Sequence, residues 1–288
     1  MTTTRHLVAT LAVLLLTCVG LSAQKPKVAA PTAKSIIEKH LTAVGGKANL
    51  LKARSQNFKS KIVSTEGRML EGEMEIYFAR LRVKDAKTGE MVDRACFKFE
   101  MKLGGTHTVM ASNGVIGWQE YTSADGAEYR ALIDVKELPS HINMFDPAAL
   151  ARYDTYYKSC EMVRKAMISG KPAYEVKLVS KEDKVEHYFF DLKSGLLVAV
   201  KSFLNSPSGV QVSKTSFSDY RAIDGIKTSF SSLGEGTGFK QTVTLQAGGG
   251  YNRKIDAKIF APSKEVLALV KKKKEPVPAK KKEGTKQQ

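Results

Sequence analysis

The sequence is poor in the residue types that mark metal-binding or cross-linked proteins. Its 288 residues include three cysteines, one tryptophan and five scattered histidines, with no His-x-x-x-His pair. No nucleophile elbow or phosphate-binding loop is present, and Gly248-Gly249-Gly250 lacks the following Lys-Ser/Thr. We therefore predict no catalytic residue, metal or cofactor. A hydrolase with two carboxylates placed by the fold stays open as the third hypothesis, because such enzymes need no sequence motif.

Long apolar runs are absent after residue 23, so no later stretch could cross a bilayer as a helix. The first 23 residues are different. Arg5 provides a positive start, Leu7 to Leu16 form an apolar run, and Ala23 is the small residue that a signal peptidase requires. This pattern predicts an export signal over residues 1–23. A lipoprotein modified at Cys18 is the less favoured alternative, because Thr17 is a poor match to such signals.

Cys96 and Cys160 are the two cysteines that follow the signal. One hypothesis is a disulfide, which requires an oxidising compartment. The other is that they are two small buried side chains. Their spacing does not distinguish between these alternatives.

Acidic residues are scarce near the C-terminus, and part of the net charge of +17 is concentrated there. Eight lysines lie between Lys271 and Lys286, against Glu275 and Glu283. Such a segment buries too little apolar surface to fold, so we predict a short helix and a disordered lysine-rich tail over residues 263–288. Anionic lipid headgroups or acidic envelope polymers are its expected partners, and a tail that only aids solubility fits equally well. Nucleic acid is not expected, because the tail has no interleaved aromatic residues.

One amphipathic helix precedes the strands. After a linker at residues 24–31, the segment from Thr32 to Leu51 has apolar residues at helical spacing, broken by Gly45-Gly46. His40 lies on the apolar face of this helix, where we expect it to pack rather than to bind a ligand.

From Asn57 onward the periodicity changes to two, which is typical of strands. In the segment 70–78, apolar residues alternate with glutamates that we expect to face solvent. Asn113-Gly114 and Asp125-Gly126 are strong hairpin signals, and similar turns at Ser194-Gly195 and Asp224-Gly225 continue the series. Between Asp134 and Tyr157 the alternation stops, which indicates one or two short helices.

These patterns predict a mainly β fold with few helices. We expect a strongly curved antiparallel sheet, a half-barrel, covered by the N-terminal helix and the short central helices. An interior that too few helices fill would hold an apolar ligand, whereas an ordinary packed core is the alternative. The candidate lining residues are apolar side chains of the strands: Leu70, Met74, Ile76, Phe78, Phe97, Phe99, Met101 and Trp118.

Five segments carry a resemblance to a known family: the helix ending in Gly45-Gly46, Gly117-Trp118 after a hairpin, Tyr188 to Asp191 before Gly195-Leu196-Leu197, Phe217 to Ile226, and Ile255 to Pro262. In their order and spacing these segments resemble the outer-membrane lipoprotein-sorting proteins, the LolA/LolB-like periplasmic carriers. The resemblance spans residues 32–262 and implies a periplasmic half-barrel whose hydrophobic cavity receives acyl chains, without a cofactor. No position matches the arginine that fastens the lid of typical carriers, and the lysine tail is additional.

The sequence thus predicts an exported, monomeric, non-enzymatic carrier that holds lipid or lipoprotein acyl chains inside its sheet. The alternative is a structural envelope protein that binds acidic polymers or headgroups through its lysine tail. The carrier hypothesis predicts retention of apolar ligand at high salt by a protein without residues 271–288. The envelope hypothesis predicts salt-sensitive binding that this deletion abolishes.

Overall fold

The computed structural model describes residues 30–85, 88–206 and 209–274. The predicted export signal and residues 275–288 of the lysine-rich tail lie outside the described residues. None of the helices in these ranges has the length and apolar composition needed to cross a bilayer.

The helices form three groups along the chain. The helix α1 begins after Thr32, whose side chain accepts a hydrogen bond from the Ser35 amide, and it buries Ile36, Ile37 and Leu41. The central helices follow the sixth strand, and α5 ends the described part of the chain. The bounds are α1 Ala33–Ala43, α2 Lys47–Lys52, α3 Leu138–Phe145, α4 Tyr153–Tyr156 and α5 Lys264–Lys274, with 3₁₀ turns at Leu150–Arg152 and Ala257–Phe260.

The strands form two runs of antiparallel hairpins, on either side of the central helices. The first run is β1 Ser55–Ser64, β2 Leu70–Lys84, β3 Met91–Leu103, β4 Thr106–Ser112, β5 Gly117–Thr122 and β6 Glu128–Ile133. The second run is β7 Tyr157–Ile168, β8 Lys171–Ser180, β9 Val185–Asp191, β10 Leu197–Ser206, β11 Gly209–Ile223, β12 Ile226–Gly236, β13 Phe239–Leu245 and β14 Gly250–Tyr251.

All of these strands belong to one sheet. Its order is β6-β5-β4-β3-β2-β1-β13-β12-β11-β10-β9-β8-β7, and β14 pairs with β1. The two runs are joined where β1 pairs with β13, from Ser60 opposite Leu245 to Ser64 opposite Gln241. The sheet stays open, with β6 and β7 at its ends. The predicted fold class, a mainly β half-barrel with few helices, is confirmed.

The register separates the side chains into two faces, which we call inner and outer. The inner face carries Phe58, Phe78 and Phe97 and packs against α1 and α3. The outer face carries Ala79, Cys96 and Trp118, which pack against the 3₁₀ turn at Ala257–Phe260 and against α5. The main core lies between α1 and the inner face of β8 and β9, where Ile37, Val176, Leu178 and Phe190 are fully buried.

Two glycines separate α1 from α2. Gly45 has a φ of 123°, and a Cβ atom there would lie 2.3 Å from the carbonyl oxygen of Gly225 in the β11–β12 turn. The Lys227 amide donates to the Val44 carbonyl at 2.9 Å, so the end of α1 rests directly on this turn.

Replacing Gly45 with alanine is therefore expected to lower the free energy of unfolding by roughly 2–3 kcal/mol, because both the positive φ and the contact are unfavourable. Gly46 is the matched control, since its φ of 92° is also positive but no atom lies within 4 Å of the position that a Cβ would take. Urea denaturation of both alanine variants measures the difference. Equal losses would show that the contact with Gly225 contributes nothing.

The lysine-rich segment begins as a helix. α5 extends through Lys274, so Lys271 to Lys274 are helical. Val266, a residue of α5, is fully buried against Trp118 and Val109 on the outer face. This apolar contact holds α5 against the sheet. The charge pattern on its own predicts disorder from Lys271 onward.

Candidate ligand-binding face

Seven of the eight predicted lining residues share the inner face of β2 and β3. In the register of these strands, Met74 lies opposite Met101, Ile76 opposite Phe99, and Phe78 opposite Phe97. Leu70 lies on the same face at the start of β2, by the alternation of strand side chains. The pairing joins these residues into one apolar stripe across two adjacent strands.

The helix α3 covers one end of the stripe. The ring of Phe145 stacks on Phe97 with centroids 4.7 Å apart and lies 6.1 Å from Phe99. Leu138 at the start of α3 joins the same cluster. Phe78 and Phe97 are 0% exposed as a result, so these two side chains act as ordinary core residues beneath α3.

The stripe extends beyond this cover. Ile76 and Phe99 lie at the margin of the α3 cluster and are only partly buried. Further along, Leu70, Met74 and Met101 are also partly buried. An apolar surface therefore continues on β2 and β3 past the last contacts of α3. The alternation of side chains along these strands keeps this surface on the inner face.

Trp118 is separated from the other seven. Gly117 pairs with Ser112, which pairs with the inner-face residue Phe97, so the next residue, Trp118, points to the outer face. There it is 2% exposed, in a cluster with Ala111 and with Val266 of α5. In the structure it holds α5 against the sheet.

An ion-pair network at the end of α3 holds this helix to the sheet. The carboxylate of Asp146 is fully buried, and it accepts from Arg80 of β2 at 2.5 Å, from the Tyr156 hydroxyl at 2.8 Å and from Arg152 at 3.2 Å. Asp146 also accepts a hydrogen bond from the Ala148 amide. Burial lowers the pKa of the Arg80 guanidinium, but the attraction of Asp146 outweighs this, so the pKa is raised. Burial, followed by Asp146, raises the pKa of Tyr156 to about 12.

Sequence reasoning missed Arg80. Its contact with Asp146 joins residues far apart in the chain, which no local spacing reveals. The available signal was that Arg80 and Arg82 continue the inner-face positions of β2 after Phe78, where further apolar residues would be expected.

A second polar cluster holds α3 to the second run of strands. The side-chain amide of Asn143 donates to the Tyr157 hydroxyl of β7 at 2.8 Å, and this hydroxyl also contacts Glu186 and Tyr188 of β9. Burial, followed by the charge of Glu186, raises the pKa of Tyr157. Together with Ser140, which donates to Glu182 between β8 and β9, these contacts anchor α3 to the second run of strands.

His40 packs inside the core, as the sequence predicted. Its ring lies 5.2 Å from that of Phe190, and its Nδ1 lies 3.1 Å from the Gly195 carbonyl oxygen, to which it must donate. Burial lowers the pKa of His40 from 6.5 to about 4, and the bond to Gly195 opposes this only partly.

We expect this histidine to make stability depend on pH. The unfolded chain takes up a proton near pH 6.5 but the folded chain only near pH 4, so stability is complete above pH 6.5 and falls by roughly 3 kcal/mol as the pH drops to about 4. Urea denaturation of the wild type and of His40→Asn between these values isolates the effect from other titrating groups. The stability advantage of the wild type should shrink toward low pH, and a constant difference would contradict this assignment.

The cysteines and carboxylates have structural roles. Cys96 and Cys160 are free thiols, Cys96 buried on the outer face and Cys160 packed against the main core, so the hypothesis of two small side chains holds over that of a disulfide. Glu71 and Glu73 are exposed, as expected, and Glu75 pairs with Lys59 at 2.5 Å. Within the described ranges, no group of three or more His, Cys, Asp or Glu residues is arranged to hold a metal ion.

Comparison with known proteins identifies similar structures but no sequence relatives. No family model matches the chain, and no curated protein matches it. A DUF1329 family protein from Desulfovibrio piger aligns at 12% identity over 81% of this chain and 98% of that one, with a TM-score of 0.52. A putative outer membrane lipoprotein-sorting protein domain from Vibrio parahaemolyticus aligns at 12% identity over 82% and 99%, with a TM-score of 0.49. A LolA superfamily protein from Nitrosomonas europaea aligns at 11% identity over 81% and 99%, with a TM-score of 0.43.

Two of these structures are described by the family names that the sequence segments resemble. At these identities, what is shared is the fold alone. The chain therefore shares its fold with the DUF1329 family protein.

Proposed function

We propose that this protein is a non-enzymatic carrier that holds the acyl chains of a lipid or lipoprotein on the inner face of its sheet. The observation that carries the proposal is that the apolar stripe on β2 and β3 extends beyond the part that α3 covers. Leu70, Met74 and Met101 continue the line of Phe78 and Phe97 but stay partly exposed beyond α3.

Acyl chains are costly to move through water. Each methylene removed from water contributes about 0.8 kcal/mol, so a carrier needs a continuous apolar surface rather than a single pocket. The stripe on β2 and β3 is such a surface, and the methionines in it adapt to chains of differing shape.

The proposal predicts how affinity depends on chain length. For neutral straight-chain alcohols of roughly eight to twelve carbons, we expect affinity to rise about fourfold with each added methylene. Calorimetric titration of the protein measures this, and added salt should leave the affinities nearly unchanged because the contacts are apolar. Affinity that does not vary with chain length would count against an acyl-binding face.

We place this activity in the periplasm. The proposal rests on the export signal predicted for residues 1–23 and on the resemblance to periplasmic carriers. Detection of the mature chain, starting near Gln24, in the periplasmic fraction of its host tests the location.

An envelope-binding role remains the alternative. The contact of Val266 with the outer face leaves Lys264, Lys271 and Lys272 exposed on α5, where they continue into the lysine-rich segment. Binding to anionic vesicles that is lost at high salt, and lost when residues 271–288 are deleted, would favour this role.

A further inference from the structure

The inner face of β5 and β6 presents two exposed aromatic side chains. Tyr121 of β5 and Tyr129 of β6 lie directly opposite each other and are 41% and 57% exposed. Tyr121 follows the inner-face residue Gly117 at an even spacing, so strand alternation places both tyrosines on the inner face. Neither hydroxyl has a hydrogen-bond partner among the described residues. Tyrosine is enriched at interfaces where one side is apolar and the other is wet.

The strand register connects these tyrosines to the apolar stripe. Met101 of the stripe lies opposite Thr108 of β4, and Thr108 lies opposite Tyr121. Neighbouring strands are about 4.8 Å apart, so Tyr129 lies roughly 14 Å across the sheet from Met101. Met101 and Thr108 are only partly buried, so no fully buried side chain interrupts this row. The row leads from the stripe to the open edge of the sheet at β6.

Charge is confined to the outer face of these strands. By the same register, every inner-face residue of β4, β5 and β6 is uncharged. The outer face carries Glu120, Glu128 and Arg130, and Arg130 contacts both glutamates. An anionic head on the inner face of these strands would therefore meet no counter-charge there. An uncharged head with hydrogen-bonding groups would meet the two phenol hydroxyls.

We propose that the acyl-binding face continues from the stripe across β4 and β5 to the open edge at β6, where Tyr121 and Tyr129 bind the uncharged head of the ligand. The apolar chain lies on Met74 and Met101, and the phenol hydroxyls donate to ester, amide or hydroxyl oxygens of the head. A head at the edge strand also stays in contact with water. The inference rests on the proposed carrier function and adds the path of the chain and the class of headgroup.

Calorimetric titration with monodecanoylglycerol and with decanol tests the headgroup site. The two probes have chains of equal length, but the glycerol ester adds oxygens that accept hydrogen bonds. We expect it to bind about tenfold more tightly, the effect of about one net hydrogen bond. The double variant Tyr121→Phe/Tyr129→Phe keeps both rings and should reduce this difference to about twofold or less. Tyr77→Phe is the matched control, since Tyr77 lies on the outer face of β2.

Thr108→Glu tests the path of the chain. This substitution places a carboxylate between Met101 and Tyr121, so we expect both probes to bind at least about tenfold more weakly. Thr122→Glu is the matched control, because Thr122 lies on the outer face of β5. Unchanged affinities in the folded Thr108→Glu variant would show that the chain does not cross β4.

The outcomes separate the inference from the function on which it rests. Equal affinities of the wild type for the two probes, or a difference that persists in the double variant, would overturn the headgroup site and leave the carrier function standing. Tighter binding of decyl phosphate than of monodecanoylglycerol would contradict an uncharged head. Failure of both monodecanoylglycerol and decanol to bind would contradict the carrier function itself. Urea denaturation of every variant confirms that each is folded.

Discussion

Replacing Asp146 with asparagine is expected to lower the free energy of unfolding by about 3–5 kcal/mol. The side chain is fully buried and neutralises Arg80 and Arg152, whose own side chains are 18% and 21% exposed. Asparagine keeps the shape and can still accept from the Ala148 amide, but it leaves two guanidiniums without a counter-charge. Removal of one partner of a buried ion pair is costly because the remaining charge stays desolvated.

Asp93→Asn is the matched control for this prediction. Asp93 also pairs with an arginine, but the side chains of Arg54 and Asp93 are 51% and 47% exposed. Such exposed pairs contribute about 1 kcal/mol or less. Urea denaturation of both variants gives the two values. Comparable small losses for both would show that Asp146 does not hold α3 to the sheet.

Introducing glutamate at Met74 or Met101 is expected to weaken binding of an apolar chain by at least about 100-fold. A carboxylate at either position would lie unpaired against the apolar chain of the ligand or would retain water where that chain binds. Either outcome costs several kcal/mol of binding free energy. The two methionines lie opposite each other on β2 and β3, so either substitution interrupts the stripe at the same level. Titration with a fluorescent fatty acid measures the loss.

Met167→Glu provides the control for charge and for the loss of a methionine. Met167 lies on β7, the strand at the other end of the sheet, and is 66% exposed. We expect its affinity to match that of the wild type. Unchanged affinity in all three folded variants would mean that the chain does not lie along β2 and β3.

Local patterns were sufficient to predict the hairpins. Asn113-Gly114 and Asp224-Gly225 each form the expected turn, with Gly114 and Gly225 at positive φ. Alternation in residues 70–78 likewise predicted which side chains of β2 share a face. Both signals act over a few residues, which is the range over which turn chemistry and strand periodicity operate.

Long-range contacts could not be predicted in this way. The pairing of β1 with β13 joins the two runs of strands, but no turn connects these strands and specifies it. The same limit applies to the contact between Arg80 and Asp146. The residue type of Trp118 predicts a position in the apolar interior. The pairing of Gly117 with Ser112 instead places the Trp118 side chain on the outer face, against α5.

The most direct test of the carrier function is native mass spectrometry, with lipid extraction, of the mature protein purified gently from the periplasm of its host. A carrier is predicted to retain bound acylated species that survive high salt and are absent from a folded variant with both Met74→Glu and Met101→Glu. A ligand-free mass, with no uptake of added lipid or fluorescent fatty acid, would contradict this function.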